Sequence, residues 1–180
     1  PAREIDAVVL FHAHIDHAGR LPLLVRHGYA RTIWATPATR DLCAIMLADS
    51  AHIQEKDAEF LARRSREVAE PLYGMRDATR ALDLMVAVPY HKPFEVVPGV
   101  QACFVDAGHI LGSASVVLDC TEQGVTKRLV FSADVGRAGL AIIRDPEPPT
   151  GAHAVIMEST YGDRDHESVA NARERLGEVV

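Results

Sequence analysis

His12-Ala13-His14-Ile15-Asp16-His17 packs three imidazoles and a carboxylate into six residues. On an extended backbone, residues two apart point the same way. His12 and His14 are therefore placed to bind one cation together. Past the strand end the chain must turn, which lets Asp16 and His17 face a second cation close by. Nitrogen ligands with a carboxylate suit Zn²⁺, and an open coordination position suits catalysis. A polar loop with chance histidines would explain one such residue; four at this spacing outweigh that explanation. The stretch follows residues 5–11, an almost continuous apolar run rich in β-branched residues, which reads as a strand buried on both faces. Open α/β sheets place their ligands at the C-terminal ends of strands.

Working outward, three more segments end a strand with a group that binds cations. His109 lies in Gly108-His109-Ile110-Leu111-Gly112-Ser113, after an apolar run at 100–105. Glycines on both sides permit close backbone approach, and His109 would complete a three-histidine set with His12 and His14. Asp134 lies in Phe131-Ser132-Ala133-Asp134-Val135-Gly136-Arg137, and a carboxylate has two oxygens with which to bridge two cations. Alone, His109 reads equally well as a core histidine, and Asp134 reads as an ordinary strand-end aspartate. Glu158 ends a short apolar segment and opens Glu158-Ser159-Thr160-Tyr161-Gly162. It reads as a cap or surface charge, or as a group orienting a catalytic acid. His27, His52, His91, His153 and His166 lack partner spacing and read as non-ligands.

The remaining pattern gives the layers. Residues 18–27 carry Leu21, Leu24 and Val25 at helical spacing, with Gly28 as C-cap. Residues 32–35 read as a short strand. Thr36-Pro37 starts a helix, with a capping hydroxyl and Pro at the first helical position, and the sequence stays helix-rich to about residue 70. The run Arg63-Arg64-Ser65-Arg66-Glu67 reads as a solvated helix face. A second helix is expected over 77–85, from Ala81, Leu82 and Met85. Residues 94–97 and 100–105 flank Pro98-Gly99 as a hairpin, and 115–120 with 126–131 form another. A stiff loop, Pro146-Glu147-Pro148-Pro149, leads to a short buried strand at 154–157, and the segment from 168 is helical. Strand, helices, then antiparallel strands make a layered α/β or α+β domain.

The chain has 180 residues, which suits one domain, and 48% hydrophobic residues, enough for a real core. No run is long and apolar enough to span a bilayer, and no signal peptide is visible. The opening Pro1-Ala2-Arg3-Glu4 and the uncapped C-terminal helix suggest an excised piece of a longer protein. Cys43, Cys103 and Cys120 are widely spaced; they read as buried small hydrophobes in a reducing cytoplasm. A net charge of -6 argues mildly against a basic nucleic-acid surface, although two divalent cations would reverse the sign locally.

The three loops around His12–His17, His109 and Asp134 together resemble the metallo-β-lactamase superfamily. The segments 108–113, 131–137 and 158–164 more particularly resemble the β-CASP nucleases, especially the bacterial relatives of the cleavage and polyadenylation endonuclease, over nearly the whole chain. The resemblance implies part of an αββα sandwich with a helical insertion at about 36–85 and the start of a β-CASP region at about 158–180. Upstream strands, one ending in a supporting aspartate, and a downstream cap would lie outside the chain. It implies two zinc ions: His12, His14 and His109 on the first, Asp16 and His17 on the second, Asp134 bridging. Glu158 would support a histidine general acid that, with a last metal histidine, lies beyond residue 180. Ala133 departs from the family, which usually has glycine there.

The resemblance further implies a metal-dependent phosphodiester hydrolase, a ribonuclease of RNA processing or degradation. A metal-activated hydroxide would attack phosphorus, with Asp16 and Asp134 holding the nucleophile. Single-stranded RNA is the expected partner, a homodimer the candidate assembly and the cytoplasm the expected location. The alternatives are a hydrolase of another ester, thioester or lactam on the same scaffold, and a non-catalytic scaffold relative, which should show eroded ligands.

Overall fold

The computed structural model describes residues 1–65, 70–165 and 167–179. Two sheets stack face to face, with helices on the outer face of one. The first sheet is parallel, in the order β1 (Val8–Val9), β2 (Ile33–Ala35), β3 (Met85–Ala87). The second runs β4 (Phe94–Val97), β5 (Val100–Asp106), β6 (Ala114–Glu122), β7 (Val125–Phe131), β8 (Ala154–Ile156). Its first four strands are antiparallel and β8 joins β7 in parallel. The α/β layering expected from the sequence is thus present.

The helices are α1 (Ile15–Ala18), α2 (Leu21–Arg26), α3 (Pro37–Ser65), α4 (Met75–Asp83) and α5 (Val169–Val179). Val25, Cys43, Leu47, Ala51, Ala78 and Ala81 lie on the inner faces of α2 to α4 and pack with Leu10, Ile33, Ala35 and Met85 into one buried cluster. Each fully buried Leu or Ile, such as Leu47 and Ile33, contributes about 1.5–3 kcal/mol. Between the sheets, Val9, Phe11, Trp34 and Val88 meet Phe104, Val116, Leu118 and Phe131. This second layer ties the two strand ends that carry His12 and Asp134.

Several boundaries differ from the sequence reading. The first strand is only Val8–Val9, with pairing continued by Leu10 N–H donating to Trp34 O at 2.8 Å. Val8 and Val9 are half-buried rather than buried on both faces, because β1 is a sheet edge. Met85 belongs to β3, not to the preceding helix; it pairs with Ile33 and is buried. The 154–157 segment, expected to be buried, is exposed: Val155, Ile156 and Met157 are more than half accessible, since β8 is also an edge. Cys43 is fully buried, whereas Cys103 and Cys120 are half-buried, and all three are free thiols. Arg63 and Arg64 are exposed as expected of a solvated face; Arg66 and Glu67 lie outside the described residues. Among the described residues no helix is long and apolar enough to cross a membrane.

Candidate metal centre

The chain leaves the first sheet at Leu10, and His14 caps the single turn α1, with Ala18 N–H donating to His14 O at 2.8 Å. This extended-then-helical path separates the two halves of the motif. His12 and His14 stay on the strand side, while Asp16 and His17 swing round with the turn. His109 follows β5 in a loop pinned from two sides. Ser113 Oγ accepts from the His109 and Ile110 amides at 3.0 and 3.2 Å. Thr36 and Thr39, both buried at the start of α3, donate their hydroxyls to Gly112 O at 2.7 and 2.8 Å. Gly112 sits at φ 84°, and a Cβ there would lie 2.5 Å from Thr39 N, so only glycine fits.

Asp134 follows β7. Ala133 before it has φ 53°, the left-handed region that glycine tolerates best. Gly136 after it donates its N–H to Ala107 O at 2.8 Å. A Cβ on Gly136 would stand 1.6 Å from Gly108 O. The Asp134 and His109 loops are therefore in direct backbone contact.

These loops bring together all six ligands expected from the sequence. His12, His14, His109 and Asp134 offer donor atoms that all lie within 4.8 Å of one another, and so do Asp16, His17 and Asp134. His14 Nδ1 is 3.0 Å from His12 Nε2 and 3.1 Å from His109 Nε2. Asp134 Oδ2 is 3.5 Å from both His12 Nε2 and His109 Nε2. Its other oxygen, Oδ1, is 3.5 Å from His17 Nε2, which lies 3.4 Å from Asp16 Oδ2. One carboxylate thus divides its two oxygens between two groups of ligands.

The donor chemistry fits divalent cations. An imidazole nitrogen carries either one proton or one lone pair, so His14 Nδ1 cannot satisfy both neighbouring rings. A cation at their centre satisfies all of them. Burial is the main force lowering the His12 pKa to about 4, helped by the neighbouring His17 and opposed by Asp134. His12 is thereby held in the neutral form that binds metal. Its Nδ1, buried on the far side of the ring, has no hydrogen-bond partner among the described residues.

Glu158 lies beside this centre rather than in it. Its carboxylate accepts from the Val135 N–H at 2.7 Å. That bond is the main reason its pKa lies below the ordinary carboxylate value, with smaller contributions from Thr160 and His109. The sequence offered no sign of this contact, which joins residues 23 apart. Of the histidines read as non-ligands, His91 meets Glu147 at 3.2 Å and His153 accepts from the Arg128 N–H at 3.0 Å. His27, His52, His91 and His153 join no ligand group among the described residues; His166 lies outside them.

No family model matches the chain. It is 37% identical over 164 residues to a protein named Ribonuclease TTHA0252 from Thermus thermophilus, a match covering 91% of this chain and 34% of that protein. It is 34% identical over 168 residues to a transcription termination factor, FttA, of Methanosarcina mazei, covering 91% of this chain and 24% of that one. The chain therefore spans about a third or less of the length of these curated relatives. Among solved structures it is similar to a B3 metallo-β-lactamase with an active-site glutamic acid, with a TM-score of 0.48 and 18% identity over 80% of this chain and 47% of that one. With the ligand loops converged and these relatives matched along nine-tenths of its length, the chain keeps its resemblance to the β-CASP branch of the metallo-β-lactamase superfamily.

Proposed function

We propose that this protein hydrolyses phosphodiester bonds in RNA at a two-zinc centre. The observation that carries the reading is the division of Asp134, with Oδ2 towards His12 and His109 and Oδ1 towards His17. A single carboxylate so placed would hold two cations, the kind of pair that assists in-line displacement at phosphorus. The names of the curated relatives, a ribonuclease and a transcription termination factor, support RNA as substrate, and single-stranded RNA is the form proposed.

His12, His14 and His109 would hold one ion, Asp16 and His17 the other, with Asp134 between. Bound there, such a pair would lower the pKa of water towards neutrality and offset negative charge growing on the phosphate oxygens. The chain itself contributes orientation. Asp134 is fixed by the backbone bond at Gly136. Asp16, with its side chain 73% exposed, stands at the solvent side, where it and Asp134 accept hydrogen bonds from the attacking water. Burial favours neutral His12, the form in which an imidazole binds a cation. Glu158 supports a histidine general acid supplied from elsewhere in the protein, with the chain as one part of a larger catalytic body that acts in the cytoplasm. The chain carries a net charge of -6, so attraction for phosphate falls to the ions.

Turnover of labelled single-stranded RNA, beside a thioester substrate, tests this reading. Cleavage of RNA that stops with a chelator and returns with zinc is expected. Thioester hydrolysis without RNA cleavage would move the assignment to another ester, and zinc binding without either activity would make the protein a scaffold.

A further inference from the structure

The β7–β8 pairing brings two chain exits side by side. Phe131 pairs with Ile156, Ser132 N–H donates to Ile156 O at 2.9 Å, and Glu158 N–H donates to Ser132 Oγ at 3.2 Å. Ser132 O in turn accepts from Ser115 Oγ at 2.9 Å. The start of the Asp134 loop is thus fastened to the sheet. Its end is fastened by Gly136 N–H to Ala107 O. Between these ties the backbone passes through Ala133 in the left-handed region, a conformation an alanine keeps only when its surroundings hold it. The tie nearest Asp134 is the Val135 N–H, and Glu158 Oε1 accepts it at 2.7 Å.

We propose that Glu158 is a positioning residue for the bridging carboxylate: by accepting the Val135 amide it holds Asp134 turned so that each oxygen faces one ligand group. The role rests on the two-cation reading and adds to it a task for Glu158 distinct from assisting a general acid. What it demands of residue 158 is an acceptor oxygen at the end of two methylenes, not a negative charge. Glutamine supplies that oxygen and alanine does not. Support for a protonated histidine would demand the opposite, since a neutral amide cannot stabilise an imidazolium.

The test is zinc titration of the intact protein by calorimetry, with amide exchange of the metal-free protein followed at Val135 and, as a local control, at Val130 in β7. In E158A the ion held by Asp16, His17 and Asp134 should bind about 10–100-fold more weakly, the usual cost of losing a group that orients a ligand. Val135 should exchange faster while Val130 is unchanged. In E158Q both the affinity and the Val135 exchange should stay near native. Native zinc affinity and native Val135 exchange in E158A would overturn the proposal, as would an E158Q protein as impaired as E158A. A native protein that bound no second zinc would sink the two-cation reading instead, and the exchange at Val135 would still decide whether the tie exists.

Discussion

The two ligand groups share one carboxylate and differ in almost everything else. The first is anchored inside the molecule by His12, with His14 and His109 half-buried. His12 is fully buried, and the His109 loop is tied to Ser113, Thr36 and Thr39. The second is built on the rim: Asp16 is 73% exposed on a four-residue helix, and His17 has Phe11 edge-on at 6.3 Å as a neighbouring ring. A group whose rings are already converged loses little side-chain entropy on binding, whereas a solvated carboxylate must be ordered. The first group should therefore fill first and hold its ion more tightly. The sharpest attempt to break this contrast is His14→Ala, which removes the nitrogen shared by the three-ring cluster. Activity should fall by more than about a hundredfold, beyond the loss from an orienting residue, and zinc at the first group should go with it. Normal zinc content and turnover in that variant would end the assignment.

Gly136→Ala attacks both groups at once, because the added methyl would meet Gly108 O at 1.6 Å. Backbone must move, at a cost of about 1–3 kcal/mol or more, and the two loops part. Thermal unfolding should drop, and both zinc affinities should weaken together. If only one weakened, the loops would not act as a unit. Asp16→Asn probes the rim alone. The first zinc should bind as in the native protein and the second about tenfold more weakly, within the range for a perturbed ligand environment. Equal weakening of both ions in the titration would erase the distinction between buried and rim groups.

The legibility of these two groups in the sequence also differs. The four residues of the first motif are close in the chain, and strand periodicity followed by a turn already divides them into two pairs. His109 and Asp134 were readable as strand-end ligands only once that motif supplied a reason. The ties that hold them were not readable. Thr36 gave itself away as a helix cap, but its bond to Gly112 O spans 76 residues, and that of Glu158 to Val135 spans 23. Met85 was misassigned because Ala81, Leu82 and Met85 continue a helical period; parallel pairing with Ile33 wins over that local pattern. The segment at β8 has the composition of a buried strand, and composition does not say that a strand lies at a sheet edge. Ala133 was the informative exception: the resemblance leads one to expect glycine at that position, and the φ of 53° accords with it.

That exception gives a smaller and opposite effect. An alanine in the left-handed region costs about 1 kcal/mol relative to glycine. Ala133→Gly should relieve this strain in the folded state while adding freedom to the unfolded chain, so stability should change by less than about 1 kcal/mol. The loop, no longer braced by a methyl group, leans more on Glu158. The double variant with Glu158→Ala should lose more second-zinc affinity than the two single variants predict together. Additive losses in the titration would mean that the two positions do not share the loop.

The smallest expected effect comes from a pair in the same sheet that belongs to neither group. Asp119 on β6 faces Arg128 on β7 and accepts from its Nε and Nη2 at 2.8 and 2.7 Å. Those bonds are the main reason the Asp119 pKa lies below the ordinary carboxylate value. The sign follows from linkage: a depressed folded pKa stabilises the native state above the unfolded value near ~4 and loses that contribution as the pH falls through the folded value. Both side chains are about one-third exposed, so solvent screening keeps the contribution below about 1 kcal/mol. At neutral pH D119N should unfold slightly more easily than the native protein, and the gap should close on acidification in a denaturant series. Zinc affinities should not move, because Asp119 touches neither ligand loop. A gap that widened at low pH would contradict the pairing, and a change in zinc binding would mean that the middle of the sheet communicates with the metal centre after all.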